Sequence, residues 1–162
     1  MFSGTAPIST NKPELYQELR SQLTSLLEGE PDAIANAANT AALLYHSMPD
    51  VNWVGFYFLK GGDLVLGPFQ GKPACVRIPL GKGVCGTAAE RRVSIVVPDV
   101  NAFPGHIACD SASLSELVAP LARRGSLVGV LDLDSPLLGR FDEADRAGCE
   151  SLAQIYMESL KE

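Results

Sequence analysis

The chain has 162 residues and a formal net charge of −6. This length fills one domain of ordinary size and can bury most of its apolar surface without a metal or a disulfide, so we predict a single domain over residues 1–162. The acidic balance and the scattered basic residues argue against nucleic acid or an anionic membrane as the main partner. A small polar metabolite or another protein remains.

Residues 1–12 lack the basic and apolar regions of an export signal, and no apolar run approaches the roughly 20 residues that span a bilayer. We therefore expect a cytoplasmic protein. In a reducing compartment its 4 cysteines should not form structural disulfides, and their spacing contains neither a CxxC pair nor a zinc-ligand pattern. Redox or nucleophilic chemistry is the better hypothesis for such cysteines.

Three long helices are predicted from apolar residues at helical spacing. The first, at 13–27, follows the cap candidate Asn11; the second, at 32–48, is rich in alanine; the third, at 142–160, has an acidic first turn. The buried residues expected in the second helix are Ile34, Ala38, Ala41 and Tyr45, and those expected in the third are Ala147, Leu152, Ile155 and Tyr156 or close neighbours.

Between the second and third helices the hydrophobic period changes to two, which predicts strands. The runs at 51–59 and 64–69 are joined by a glycine turn and form an antiparallel hairpin. The other predicted elements are strand 75–80, a short helix at 84–91, and strands 94–97, 115–122 and 126–134. This order predicts an α+β domain, in which helices pack on one face of a mainly antiparallel sheet and a ligand pocket lies under loops on the other.

Cys109 lies in a stretch of small and polar residues, 105–113, that has no hydrophobic period. A thiol in such a loop is more accessible than one in a strand or helix, and accessibility together with thiolate character decides whether a cysteine reacts. The alternative is a small buried side chain in a turn. Cys149 falls inside the last predicted helix and is interpreted as a packing residue.

Strand alternation places three acids on one face of the predicted sheet. In the last strand Asp132 and Asp134 share a face, opposite to Leu131 and Leu133. Glu116 of the preceding strand can join the same pocket. Two aspartates that close a hydrophobic strand favour a functional site, although solvent exposure is the alternative.

Trp53 and Tyr57 share one face of the first strand and are separated by Gly55, which leaves room between the two rings. Ordinary core packing is the alternative for both aromatic residues. Aromatic walls combined with acids favour a site for a small cationic or polarisable ligand.

Five short motifs follow one another along the predicted strands and loops: GPFQGK at 67–72, ACVRIP at 74–79, GKGVCGT at 81–87, GHIACD at 105–110 and GVLDLDS at 129–135. In this order they resemble the free methionine-(R)-sulfoxide reductases, which are GAF-domain enzymes. The resemblance covers about 51–141 and implies a GAF-like fold.

The resemblance also implies roles for individual residues. Cys109 matches the catalytic cysteine, Cys75 the resolving cysteine, and Cys85 a third cysteine that can join disulfide exchange. The substrate pocket corresponds to Trp53, Tyr57, Glu116, Asp132 and Asp134, the residues that strand alternation selects.

Reduction of a sulfoxide requires a nucleophile at sulfur and a proton donor at oxygen. We expect Cys109 to attack the sulfur while Glu116 or Asp134, kept partly protonated by like charges, hydrogen-bonds the oxygen. Methionine leaves, and Cys75 converts the resulting sulfenic acid to a disulfide that a thioredoxin-like dithiol reduces. Asp132 is the candidate for the substrate ammonium, with Trp53 packed on the methyl group. Thioredoxin is thus the expected electron donor, and no metal or other cofactor is expected.

A non-catalytic GAF sensor of a small molecule or of redox state is the alternative. Such a sensor would pass a signal to an attached domain, which we do not expect in this chain, and it would not need three cysteines in matching motifs. A zinc deaminase site fails for lack of ligand spacing. The sequence leaves open whether the protein is a monomer or a homodimer, which carboxylate donates the proton, and whether Cys75 or Cys85 is the main resolving thiol.

Overall fold

The computed structural model describes residues 11–160, so most of the stretch assessed above for an export signal lies outside it. The described helices are α1 (Lys12–Leu27), α2 (Ala33–Ser47), α3 (Gly83–Arg91) and α4 (Glu143–Ser159), with a 3-10 turn at Val100–Ala102. The described strands are β1 (Trp53–Lys60), β2 (Asp63–Gln70), β3 (Arg77–Pro79), β4 (Ile95–Val97), β5 (Ser115–Arg123) and β6 (Ser126–Ser135). No helix in this part of the chain is long and apolar enough to cross a membrane.

The long helices begin where side chains can cap them. Asn11 accepts a hydrogen bond from the backbone of the first turn of α1, and Asp32 does the same for α2. Asp142 and Asp145 form a reciprocal capping box at the start of α4. These polar groups satisfy backbone N–H donors that have no partner within the helix, which explains why the predicted starts are correct within two residues.

The strands form one six-stranded sheet with the order β3-β2-β1-β6-β5-β4, and every neighbouring pair is antiparallel. β3 is shorter than the predicted strand at 75–80, because its pairing with β2 begins only at Arg77. Cys75 therefore lies in the loop before the strand, where its carbonyl accepts a hydrogen bond from the Tyr57 hydroxyl. The connection between β2 and β3 is consequently tied to the centre of the sheet.

The two faces of the sheet carry different layers. Leu131 and Leu133 of β6 point into a core that contains side chains from α1, α2 and α4. Val130 of the same strand points to the opposite side, where it packs in a second cluster with residues of α3. The α+β prediction and the GAF-like arrangement are confirmed, with one refinement: the three long helices share one face, whereas α3 packs on the face that carries the pocket.

The buried side of α2 is shifted from the predicted one, although Ala41 is fully buried as predicted. Ile34 is 57% exposed and Ala38 is also exposed, whereas Asn36 and Thr40 are buried. Their polar groups are satisfied: Asn36 Nδ2 donates to Glu30 O at 2.7 Å, and Thr40 Oγ1 donates to Asn36 O at 2.7 Å. Hydrogen bonding thus allows the polar side of an alanine-rich helix to face the core.

The prediction for α4 is wrong at Ala147, which is exposed. The neighbouring Gly148 is buried against Tyr16 of α1, and a Cβ atom at Gly148 would lie 2.3 Å from the Tyr16 ring. The absence of a side chain at Gly148 permits this close approach of the helices. Leu152 and Tyr156 are fully buried as predicted.

Candidate active site

The acids predicted to share a face stand side by side in the sheet. In one row across three strands, Trp53 of β1 pairs with Asp134 of β6, which pairs with Glu116 of β5. In the next row on the same face, Asp132 of β6 lies between Gly55 of β1 and Val118 of β5. The register therefore gathers residues more than 60 positions apart in the chain onto one pocket floor.

The aromatic wall of the pocket depends on Gly55. The Trp53 ring lies across this glycine, so that an added Cβ would be 2.5 Å from the ring and 2.4 Å from the Phe69 side chain. Trp53 stacks on Phe69 with ring centroids 5.3 Å apart and on Tyr57 at 6.0 Å. The absence of a side chain at Gly55 thus lets the indole lie directly over the strand beside the acids, and not merely between two rings.

The three pocket acids hold protons more tightly than exposed carboxyl groups do. Burial raises the pKa of Glu116 well above its usual value, and the charges of Asp132 and Asp134 raise it further. Burial and the neighbouring Asp132 also raise the pKa of Asp134. For Asp132, burial raises the pKa to about 6, against the opposing effect of hydrogen bonds with Glu116 and Cys85. At neutral pH the cluster therefore combines an ionised Asp132 with neighbouring carboxylic acids that can donate protons.

Asp132 also has an unsatisfied acceptor. Its Oδ1 is buried and has no hydrogen-bond partner among the described residues. Because a buried polar atom without a partner is costly and uncommon, this oxygen is a position where a ligand donor gains a strong hydrogen bond. A cationic N–H donor would gain most.

Cys109 and Cys75 are joined by a disulfide, with Cα atoms 5.6 Å apart. Cys109 is exposed in its loop, as its sequence context predicts, and Cys75 is partly buried. Both lie at the rim of the same pocket, Cys109 among its lining residues and Cys75 next to Ala74. The pair thus combines an accessible sulfur with a partner in bonding distance, as redox chemistry requires.

The other two cysteines are free and buried. Cys85 of α3 lies at the base of the pocket, where its thiol donates to Glu116 Oε1 at 3.8 Å. Burial raises its pKa, as do the charges of Asp132 and Glu116. Cys149 packs in α4 beside the Tyr16 hydroxyl, as predicted for a packing residue. Neither environment favours a thiolate.

Several residues that line the pocket have no role predicted from the sequence. The most informative is His106, whose Nε2 lies 3.8 Å from Glu116 Oε2 and whose pKa is lowered by burial. Its place in the motif around Cys109 was a usable signal. The pocket is also lined by Lys72, Lys82, Asp110 and Ser113.

Within residues 11–160, one group has the atoms to hold a metal ion: Cys85, Glu116 and Asp132 offer ligand atoms within 4.8 Å of one another. At neutral pH the raised pKa values of Cys85 and Glu116 keep both of these groups protonated. A metal would have to displace these protons, and it would occupy the place where the orphaned Asp132 oxygen can meet a ligand. The donor set is therefore better suited to proton donation and to an organic cation.

Comparison with known proteins gives a consistent result. The family profile for the GAF domain matches residues 29–160. The free methionine-R-sulfoxide reductase of Escherichia coli is 52% identical over 142 residues, which cover 88% of this chain and 86% of that protein. The protein of the same name from Saccharomyces cerevisiae is 41% identical and covers 92% of this chain and 87% of its own length.

Among solved structures, the free methionine-R-sulfoxide reductase from Neisseria meningitidis in complex with its substrate superposes with a TM-score of 0.94. It is 45% identical in sequence and covers 98% of this chain and 95% of that one. The profile, the sequences and the fold agree over nearly the whole described chain. The chain therefore belongs to the GAF-domain family and, within it, to the free methionine-R-sulfoxide reductases.

Proposed function

We propose that this chain reduces free methionine-(R)-sulfoxide to methionine with Cys109 as the nucleophile. The observation that carries this proposal is the disulfide between exposed Cys109 and Cys75 at the rim of a buried acid cluster. Cys109 attacks the sulfoxide sulfur, the oxygen is transferred to the cysteine, and methionine leaves. The thiol is thereby oxidised to a sulfenic acid as the sulfoxide is reduced to the thioether.

Glu116 is the better placed of the two proton-donor candidates. Its raised pKa keeps a proton on the carboxyl group at neutral pH, and its Oε2 lies 3.8 Å from His106 in the Cys109 loop. A proton delivered to the sulfoxide oxygen weakens the S–O bond as Cys109 approaches the sulfur. Asp134 is paired with Glu116 across the strands, also has a raised pKa, and is the second donor.

Selection of the free amino acid follows from Asp132 and the aromatic wall. Asp132, with its pKa of about 6, is ionised at neutral pH, and its unsatisfied Oδ1 accepts a hydrogen bond from the substrate ammonium. Trp53 and Tyr57 enclose the apolar end of the substrate, with the indole packed on its methyl group. A peptide-bound methionine sulfoxide lacks the ammonium, so it would leave the buried carboxylate unpaired.

The oxidised enzyme is restored in two steps. The Cys75 thiol attacks the sulfenic sulfur of Cys109, which forms the disulfide and releases water. A thioredoxin-like dithiol then reduces the disulfide and becomes oxidised itself. We place this cycle in the cytoplasm, where such dithiols are kept reduced. Cys85 is the reserve thiol for disulfide exchange, although its burial and raised pKa make it the slower nucleophile.

The experiment is a comparison of four substrates under a dithiol: the R and S epimers of methionine sulfoxide, each as the free amino acid and as the N-acetyl amide. We expect methionine release from the free R epimer alone. Cys75→Ser should still release about one equivalent of methionine and then stall with thioredoxin as reductant. A protein that binds the free R epimer but releases no methionine would instead be the sensor.

A further inference from the structure

The polar atoms of the aromatic wall donate hydrogen bonds to the backbone of a neighbouring loop. The Tyr57 hydroxyl donates to the backbone carbonyl of Cys75 at 3.0 Å, and the Trp53 indole N–H donates to the carbonyl of Lys72 at 3.0 Å. Both acceptors belong to the loop between β2 and β3. The substrate-binding role proposed for the two rings uses none of these hydrogen bonds.

The backbone around Cys75 is therefore held from two sides. The Tyr57 hydroxyl donates a hydrogen bond to the Cys75 carbonyl. The next carbonyl in the chain, that of Val76, accepts a hydrogen bond from Leu66 N of β2 at 2.9 Å. Tyr57 is itself rigid, because its side chain is buried in the central strand β1 and stacked on Trp53. Cys75 is anchored to the sheet although it lies outside the regular strand.

The segment that carries Cys109 is held differently. Its backbone-to-backbone hydrogen bonds are short-range, from His106 N to Phe103 O and from Ser113 N to Asp110 O, both at 3.2 Å. At the end of the segment, the Ser113 hydroxyl also donates to Asn52 Oδ1 at 3.4 Å. Cys109 is exposed, whereas the carbonyl of Cys75 is bound to a buried ring. Of the two partners in the disulfide, Cys75 is the fixed one.

We propose that Tyr57 is a positioning residue for the resolving step, holding Cys75 where its thiol meets the sulfenic acid of Cys109. The proposal rests on the roles of Cys109 and Cys75 proposed above. In this step the Cys75 sulfur attacks the Cys109 sulfur, the S–O bond breaks, and the oxygen leaves as water with the thiol proton. An anchored nucleophile raises the effective concentration of the thiol, so loss of the anchor slows ring closure.

The closure rate can be measured without the sulfoxide substrate. Hydrogen peroxide oxidises the Cys109 thiolate of the reduced protein to the sulfenic acid, and the disappearance of free thiol and of dimedone-trapped sulfenic acid follows disulfide formation. Tyr57→Phe keeps the ring and removes only the hydroxyl. We expect closure to slow by roughly 3- to 10-fold, the effect of losing one buried hydrogen bond.

Tyr156→Phe is the matched control. Its hydroxyl donates to the backbone carbonyl of Ala33 at 3.0 Å on the opposite face of the sheet, so the variant loses the same kind of bond at a distance from the cysteines. Its closure rate should equal that of the wild type. In a Cys75→Ser background, Tyr57→Phe should not change the decay of the sulfenic acid.

Unchanged closure in Tyr57→Phe, or equal slowing in Tyr57→Phe and Tyr156→Phe, would overturn the proposal. Circular dichroism checks that both variants fold; if Tyr57→Phe does not, Trp53→Phe removes the other loop anchor and must slow closure instead. Peroxide replaces the sulfoxide as oxidant, so a protein that closes the disulfide but does not reduce methionine sulfoxide contradicts the proposed function and leaves the role of Tyr57 intact.

Discussion

Each face of the sheet buries an aspartate, and the two aspartates have opposite surroundings. On the helix face, Asp145 is fully buried and contacts Lys12 Nζ at 2.6 Å, Arg140 Nη1 at 3.3 Å and the Tyr16 hydroxyl at 2.7 Å. On the pocket face, Asp132 is 6% exposed, has acids and a thiol as neighbours, and leaves Oδ1 without a partner in the described chain.

The difference separates a structural carboxylate from one that is available to a ligand. The cations and donors around Asp145 compensate its loss of hydration, and they join the start of α1 to the start of α4. Asp132 receives no such compensation from cations, and its pKa rises to about 6 as a result. In the function proposed above, the substrate ammonium supplies the partner that Asp132 Oδ1 lacks among the described residues.

The cysteines repeat this contrast. Cys149 is fully buried on the helix face beside Tyr16, and burial raises its pKa to about 12. Cys109 on the pocket face is exposed and bonded to Cys75. A cysteine on the helix face is thus a packing residue, whereas two cysteines on the pocket face form a disulfide.

The largest expected effect is on the cysteine of the pocket face. Cys109→Ser should lower turnover of free methionine-(R)-sulfoxide by at least about 10³-fold, because the hydroxyl cannot replace the thiolate as nucleophile. Cys149→Ser should stay near the wild-type rate. Steady-state assays with a dithiol measure both. Equal losses in the two variants would point to folding and would remove the distinction between the faces.

Substitutions of the three pocket acids should affect different kinetic parameters. Glu116→Gln and Asp134→Asn should lower kcat by about 10²- to 10⁴-fold, because each loses a proton donor that acts in the transition state. Asp132→Asn should mainly raise KM through the lost ammonium contact. The exposed Glu150→Gln on α4 serves as control. If the three pocket variants keep kcat within a few-fold of wild type, the carboxylates are not proton donors.

Stability should respond in the opposite way to the same substitution on the two faces. Asp145→Asn should lower the free energy of unfolding at pH 7 by about 3 kcal/mol, because it removes the buried carboxylate that Arg140 contacts and leaves Lys12 paired with Asp142 alone. Asp132→Asn should not destabilise, because it removes a buried charge that has no cation beside it. Urea denaturation of the reduced proteins gives both values. A larger loss for Asp132→Asn than for Asp145→Asn would reverse the comparison.

A smaller effect is expected in the pH dependence of the free energy of unfolding. Burial raises the pKa of Asp132 to about 6 from its usual value of 3.8, so the native state binds this proton more tightly than the unfolded state. The stability that this proton contributes is complete below pH 3.8 and is lost as pH rises through 6. The Asp132→Asn variant should therefore gain on the order of 1–3 kcal/mol relative to wild type between pH 4 and 7. Urea unfolding of both proteins at a series of pH values tests this. If the free energies of unfolding of wild type and Asp132→Asn change in parallel with pH, the pKa of Asp132 is not raised.

Much of the pocket could be predicted because strand alternation is a local property. Side chains two positions apart share a face regardless of what the strand packs against, so Asp132 and Asp134 of β6 are placed together by their spacing alone. The acidic first turn and cap of α4 are likewise local signals. The prediction for α2 was wrong at Ile34 and Ala38, because an alanine-rich helix has little amphipathic contrast. Its buried side includes Asn36, which donates hydrogen bonds to Glu30 O and Ser159 Oγ outside the helix.

The sequence by itself determined the secondary structure, the face of each strand that carries polar groups, and the cysteine whose loop leaves it accessible. Tertiary structure alone decided that β6 lies between β1 and β5, which brings Glu116 beside Asp134. The pairing of Cys75 with Cys109, 34 positions apart, was implied by the family resemblance and not by any local pattern. Tertiary structure also decided that the Tyr57 hydroxyl donates to the Cys75 carbonyl and that Asp132 Oδ1 has no partner within residues 11–160. The physical reason is range: periodicity and capping act within a few residues, whereas register, burial and hydrogen-bond completion depend on which distant segments share a surface.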